Sequence, residues 1–362
     1  MLACVRRVVL GVCLSGVIHG PGAAQNGYAL RFLRSIGSEQ GPLSFGRIGV
    51  AAINDAGLLA VTDFTTCQIF LIPLNTDAGS VSRIGRCGDG PGEFRAILAL
   101  TFHGDTLIAF DGQRREFVLV TTEGREVARH SLAAPSEFFA VTFLTALDDA
   151  RLLIGRSVPP LTFGRTSEEA GSAFMVTLDR RTGQPAARHV PVPEVGQRNE
   201  VGALNHVANC RQSPRTHGYL VAFQEWRFEG TVLDPVSGRE VARFRSPVRW
   251  DRHRQHPRGG GGVLPGAIAT AAACGRDAFV VWQLAAGEPP NLMEGRAGRL
   301  EVRSWGGALL HRLDFGAADS LLHGRPLAGF GNLFVFRANE LGEYPRLLVF
   351  ELTGPGGRGR DE

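Results

Sequence analysis

A four-residue phrase recurs six times along this 362-residue chain: two mostly small or apolar residues, an arginine, then an apolar residue or a histidine. It reads Ala29-Leu30-Arg31-Phe32, Val81-Ser82-Arg83-Ile84, Val127-Ala128-Arg129-His130, Ala186-Ala187-Arg188-His189, Val241-Ala242-Arg243-Phe244 and Leu310-His311-Arg312-Leu313. The spacing of the arginines runs from 46 residues (83 to 129) to 69 (243 to 312). Self-similarity at that period marks a repeat array, and repeats built of strands either close into a ring or stack into a solenoid. An array of this kind is one domain, whatever its length suggests.

Each repeat carries the same order of segments. A small-residue-rich apolar stretch comes first, as at 49–53, 97–102 or 267–273. A strong hydrophobic strand follows: Leu58-Leu59-Ala60-Val61, Leu107-Ile108-Ala109-Phe110, Leu152-Leu153-Ile154, Tyr219-Leu220-Val221-Ala222-Phe223, Ala278-Phe279-Val280-Val281-Trp282 and Leu333-Phe334-Val335-Phe336. A third strand ends in a turn such as Glu123-Gly124 or Gly306-Gly307, where glycine supplies the positive φ of a tight hairpin. The arginine phrase is then the fourth strand, and four antiparallel strands per unit make a propeller blade. After residue 24 the chain opens on an isolated fourth strand (28–36) and closes on a repeat whose third strand ends near residue 352. The expected fold is therefore an all-β, six-bladed propeller whose last blade is completed by the N-terminal strand. An arginine on each outer strand fits an exposed edge, because a charge there discourages edge-to-edge pairing.

The N-terminus predicts export. Arg6 and Arg7 precede the apolar run 8–18, and Gly22-Ala23-Ala24 precede Gln25, the pattern of a cleaved secretory signal over residues 1–24. The run is too short to remain as a membrane helix, and no later stretch is long and apolar enough to be one. Leu10-Gly11-Val12-Cys13 resembles a lipobox but has bulky Val12 where a small residue belongs, so a lipid anchor at Cys13 is the lesser alternative. The propeller then occupies 25–354 and a flexible tail 355–362. Cys67, Cys87, Cys210 and Cys274 remain after cleavage, an even number in an oxidising compartment. A hairpin centred on Asp77 sets Cys67 opposite Cys87, within disulfide reach. Cys210 and Cys274 hold equivalent places in neighbouring repeats, and whether they pair stays open. The net charge of +4 is too small to argue for a polyanionic partner. All 39 basic residues are arginine, as in the product of a GC-rich genome.

Arg83-Ile84-Gly85-Arg86-Cys87-Gly88-Asp89-Gly90-Pro91-Gly92-Glu93-Phe94 resembles the G-x-G-x-G-x-F linker of NHL-repeat propellers, with a degenerate second copy at 35–45. Val61-Thr62-Asp63 resembles the V-x-D of that family's second strand. The likeness covers the first third of the chain and points to the wider NHL-like and TolB-like six-bladed propellers. It implies that Phe45 and Phe94 wedge between blades. Some intracellular NHL-like propellers bind polynucleotides, which the export signal argues against here.

In such a blade the loops joining strands two and three share a face with the connections between blades. On that face the chain carries long segments at 157–172, 285–297 and 338–344, with 250–262 between blades four and five. Long loops on a rigid scaffold are where binding sits. The sharpest candidate is Trp250-Asp251-Arg252-His253-Arg254-Gln255-His256-Pro257-Arg258, in which Trp250, Arg252, His253, Arg254, His256 and Arg258 suit an anionic ligand held by guanidinium forks. The expected function is an exported, non-catalytic propeller that binds a protein, peptide or glycan ligand there, with no cofactor. The alternative is a gluconolactonase-like hydrolase or lyase with Ca or Zn in the central channel, for which His206 and Asn205 are the polar candidates. Asn54, Asp55, Asp105, Asp148 and Asp149 follow inner strands, where Asn and Asp are ordinary turn formers. Neither a G-x-S-x-G elbow nor a P-loop occurs.

Overall fold

The computed structural model describes residues 27–39, 43–75, 81–133, 141–156, 173–191, 206–209, 220–224, 229–234, 237, 239–245, 267–285, 297–316, 324–338 and 344–354. After strand β1 (Ala29–Ile36), the first sheet is built from β2 (Ile48–Ile53), β3 (Leu58–Asp63), β4 (Gln68–Pro73) and β5 (Ser82–Ile84). The second is β6 (Ile97–His103), β7 (Thr106–Asp111), β8 (Glu116–Thr121) and β9 (Glu126–Ser131). The third is β10 (Val141–Ala146), β11 (Arg151–Arg156), β12 (Ala173–Asp179) and β13 (Pro185–Pro191). The fourth is β14 (His206–Asn209), β15 (Leu220–Gln224), β16 (Glu229–Leu233) and β17 (Glu240–Arg245). The fifth is β18 (Ala267–Cys274), β19 (Ala278–Ala285), β20 (Ala297–Ser304) and β21 (Leu309–Gly316). The last comprises β22 (Gly324–Phe330), β23 (Leu333–Ala338) and β24 (Arg346–Thr353), with β1 as its fourth member. Every described ladder is antiparallel, as short turns between successive strands require. The first strands of successive sheets touch in chain order, and β22 returns to β2, giving a propeller arrangement.

Burial explains the two kinds of strand pattern. β3 and β7 are buried at every position but their first, because each lies in the middle of a sheet covered on both faces by neighbouring sheets. Their runs are accordingly apolar without alternation. β1, an outer strand, alternates exposed positions with inward ones, of which Leu30 is buried and Phe32, Arg34 and Ile36 are half-buried. The apolar clusters sit in the seams between sheets. One joins Phe45, Ile48, Val61 and Phe70 to Val335, Leu347 and Val349, packing the first sheet on the last. Another joins Ile69, Leu71 and Ile84 to Phe94, Ile97 and Val118, packing the first on the second. The ends of the described chain meet in β1 and β24, where Ala29 faces Thr353 and Ile36 faces Leu347. Leu30 is buried in the seam of the fifth and last sheets, and Phe32 meets Phe350 edge-on at 5.6 Å.

The recurrent arginine phrase has a second meaning that periodicity did not reveal. Opposite β8, Leu119 pairs with Ala128 and the next residue, Val120, pairs with Glu126, so Val127 is left over as a bulge. The same irregularity skips Ala186, Val241 and Leu310. In four copies the first residue of the phrase is thus a bulge that twists the outer strand, a known way of blunting a sheet edge. Bulging also accounts for exposed apolar residues: Leu33, Leu98, Val127 and Val241 all stand at register shifts. Several phrase arginines are committed to ion pairs rather than left as bare edge charges. Arg31 pairs with Glu351 at 2.6 Å, and Arg129 with Glu116 and Glu126, each at 3.0 Å. Arg243 pairs with Glu240 at 2.7 Å and Arg312 with Asp314 at 3.1 Å.

The register of β1 yields a sharp contrast. Leu30→Ala, which empties a buried site, should lower unfolding stability by about 3 kcal/mol. Leu33→Ala, at the bulge, should cost less than about 0.5 kcal/mol. Denaturant midpoints of the two variants measure this, and equal losses would refute the pairing of β1 with β24.

His311 supplies a pH dependence. It lies opposite Val302 in the seam of the fifth and last sheets, almost fully buried, with Nδ1 lacking a hydrogen-bond partner among the described residues. Burial lowers its pKa below the ordinary imidazole value. The unfolded chain therefore binds this proton more readily than the folded one. The stability contributed by neutral His311 is complete above about pH 6.5 and is lost as pH falls from there through the folded-state value. Thermal midpoints at pH 7.5 and pH 5 should drop further for the wild type than for His311→Leu.

Candidate functional site

The connections between sheets determine what the loop face presents. Gly85 (φ +81°) turns the chain out of β5, and a Cβ there would come within 2.7 Å of the Phe94 ring, so glycine is required. Gly37 (φ +99°) makes the same approach to Phe45 at 2.9 Å. Both phenylalanines are buried, each wedged in the seam that its connection crosses.

An aspartate then ties each of these connections to the neighbouring turn. Gly46 and Arg47 N–H donate to Asp63 Oδ2 and Oδ1 at 2.7 and 3.1 Å, and Thr65 N–H donates to Oδ1 at 2.8 Å. Asp111 repeats the device: Arg95 N–H donates to Oδ2 at 2.7 Å, and the N–H groups of Ala96, Gln113 and Arg114 to Oδ1 at 3.2, 3.2 and 3.3 Å. Both carboxylates are buried at the end of a second strand. A hydrogen bond to a charged group contributes about 1.5–3 kcal/mol, so these acids hold backbone in place. The corresponding position of the third sheet, opposite Val141, is Arg156, so the device does not extend to that sheet.

Between these two tied connections lies a cleft of about 320 Å³, lined by Arg47, Thr62, Asp63, Phe64, Cys67, Arg95, Ala96, Ile97, Leu98 and Gln113. It opens on the face shared by the β3–β4 and β7–β8 turns and the connections into β2 and β6. The Arg47 guanidinium lies 5.6 Å from the Phe64 ring centroid. Arg95 donates from Nε and Nη2 to the two oxygens of Asp89 at 2.6 and 2.7 Å, and Arg114 donates to the same carboxylate. The Arg95 hydrogen bond, with the charges of Arg95 and Arg114, holds Asp89 below the usual carboxylate range. Glu93 is held low by the Gly90 N–H and by Arg86, which pairs with it at 2.6 Å. The 85–95 connection is thus stapled on both sides, and the cleft wall it forms is preorganised.

The structure joins Cys67 to Cys87, with Cα atoms 4.9 Å apart, beneath this wall. The geometry differs from simple cross-strand opposition. Ile69 pairs with Ile84, one residue off the predicted register, and Cys87 lies beyond β5 in a bridge with Phe94. Cys67 reaches it from the β3–β4 turn with a φ of 53°. Cys274 is also disulfide-bonded, to a partner outside the described residues.

Of the residues singled out by sequence, Trp250, Arg252, His253, Arg254, His256 and Arg258 lie outside the described residues, as do Asn205 and the segments 1–24 and 355–362. The long segments 157–172, 250–262, 286–296 and 339–343 do too. His206 begins β14, the innermost strand of its sheet, opposite Phe223. Asn54 and Asp148 act as turn formers: Asn54 Oδ1 accepts from Ala56 and Leu58 N–H, and Asp148 Oδ1 from Ala150 and Arg151 N–H. No sequence motif points directly to Arg47, Phe64, Arg95 or Gln113. Their shared signal is an aspartate ending an apolar second strand, Ala60-Val61-Thr62-Asp63 and Ile108-Ala109-Phe110-Asp111, of which the first carries the V-x-D likeness. Among the described residues no cluster of three metal-ligating side chains occurs, and no helix is long and apolar enough to cross a membrane.

No family model matches this sequence, and no curated protein matches it. Solved structures match it in shape. A member of the DUF4221 family from Bacteroides vulgatus aligns over 91% of this chain and 100% of its own, at a TM-score of 0.61 and 9% identity. A candidate exported protein from Bacteroides fragilis aligns over 90% and 95%, at 0.57 and 10% identity. The PQQ-bound aldose sugar dehydrogenase of Streptomyces coelicolor aligns over 91% and 100%, at 0.50 and 12% identity. At these identities the likeness carries the fold alone, which is a β-propeller.

Non-reducing peptide mapping checks the covalent frame. It should recover Cys67 linked to Cys87, and Cys274 in a disulfide with a second cysteine. Free thiols at either pair would contradict that frame.

Proposed function

We propose that this chain is an exported, six-bladed propeller of NHL-like type that binds a protein, peptide or glycan ligand on its loop face without catalysing a reaction. The observation that carries the reading is the cleft between the first and second sheets, which opens on that face. Its carboxylates are engaged by backbone amides and guanidinium groups. What the cleft offers a ligand is therefore charge, aromatic surface and shape rather than a general base. The sequence-read segments 157–172, 250–262 and 285–297 are the loops to which this proposal assigns the ligand, with Arg252, His253, Arg254, His256 and Arg258, beside Trp250, as the groups suited to an anionic part of it. Export rests on the leader-like residues 1–24 and on the likeness to the Bacteroides fragilis protein.

Peptide and glycan arrays test this. The wild type should show saturable binding that is lost when the segments ending at Ser172, Gly262 and Ala297 are shortened. Equal binding by all variants would remove the loop face from consideration. The enzymatic alternative draws on His206 at the head of an innermost strand. Stoichiometric Ca or Zn in metal-replete protein, lost in His206→Ala, would decide for it.

A further inference from the structure

We infer that the cleft between the first and second sheets is a subsite for an acidic peptide side chain flanked by an apolar residue. The inference rests on the binding reading above and narrows it to one place and one chemistry. The cleft's donors point to the ligand's charge. Arg47 stacks beside Phe64 and forms no ion pair among the described residues, so its fork remains for a carboxylate. Arg95 commits Nε and Nη2 to Asp89, which leaves Nη1 for a ligand. Gln113 is exposed at the rim and engages Asp111 only through its backbone N–H.

Counted together, the guanidinium groups of Arg47, Arg95 and Arg114 balance the carboxylates of Asp63, Asp89 and Asp111, so the attraction for an anion is local to the Arg47 fork, because each acid is engaged elsewhere. Asp89 is shared by Arg95 and Arg114 and so faces away from a ligand at Arg47 in its hydrogen bonding. Asp63 in the floor has its oxygens occupied by three backbone N–H donors. The remaining walls are apolar: Phe64, Ile97 and the exposed Leu98. They suit the methylene stem of a glutamate and one apolar neighbour, whereas the hydroxyls of a uronic acid would lose hydrogen bonds to water there. At about 320 Å³ the cleft has room for one or two side chains. The Asp63 and Asp111 ties and the Cys67–Cys87 bond hold both walls before a ligand arrives, which reduces the ordering cost of binding.

The test is titration of the full mature chain, by calorimetry or NMR, with acetyl-Leu-Glu-Leu-amide, its Gln counterpart, and a galacturonate oligomer. The Glu probe should bind at least about tenfold more tightly than the Gln probe, and weaken with salt. Arg47→Gln should lose at least about tenfold toward the Glu probe, and Arg47→Lys should recover part of it. Arg47 is exposed, and an unchanged thermal midpoint will show that the variant folds. Binding of the Glu probe that is indifferent to Arg47→Gln, or absent, overturns the proposal. Arg47-dependent binding of galacturonate alone overturns the peptide assignment. Array ligands lost on loop shortening but kept by Arg47→Gln would leave the binding face standing and remove this subsite from it.

Discussion

The backbone ladder between β1 and β24 joins two segments more than 300 residues apart, and the ring depends on it. Without it the last sheet would have three strands, with β24 as its open edge. Bringing distant ends together costs entropy only logarithmically in chain length, so a seven-pair ladder with a buried leucine beneath it can hold the ring shut. The contact of β22 with β2 then places the last sheet against the first, and the seam formed by Phe45, Ile48, Val335 and Leu347 becomes one more copy of the seams elsewhere.

The sheets also show how a repeat array manages its edges. Each outer strand leaves a row of unpaired backbone groups, a hazard for association. Here a bulge in four copies of the arginine phrase twists the strand, and several of the arginines pair with carboxylates on the same or the neighbouring strand. Inner strands are irregular as well. Register shifts fall near the start of β2, β6, β10, β18 and β22, on the loop face, and at β6 the shift turns Leu98 into the cleft. An outer bulge thus protects an edge, while an inner one shapes a surface.

Much of the architecture could be read from residues alone, because it depends on local patterns repeated many times. Continuous apolar runs such as Leu58-Leu59-Ala60-Val61 mark strands buried on both faces, and glycines after third strands mark the hairpins. Gly85 and Phe94 stand close enough in the chain for their packing to be foreseen. The disulfide partners were also legible, but neither the one-residue offset between β4 and β5 nor the positive φ that puts Cys67 in the β3–β4 turn leaves a mark in spacing.

The linear code specified strands, their order, the ring and its closing pair, since each follows from burial periodicity and turn chemistry within a few residues. The cleft was settled only by packing. Arg47 and Phe64 come from the approaches of the first sheet and Arg95, Leu98 and Gln113 from those of the second. They meet because two sheets stack at a particular angle and two buried aspartates hold the connections between them. That angle arises from interlocking side chains in the seam, a many-body contact among residues distant in the chain, and no local pattern encodes it.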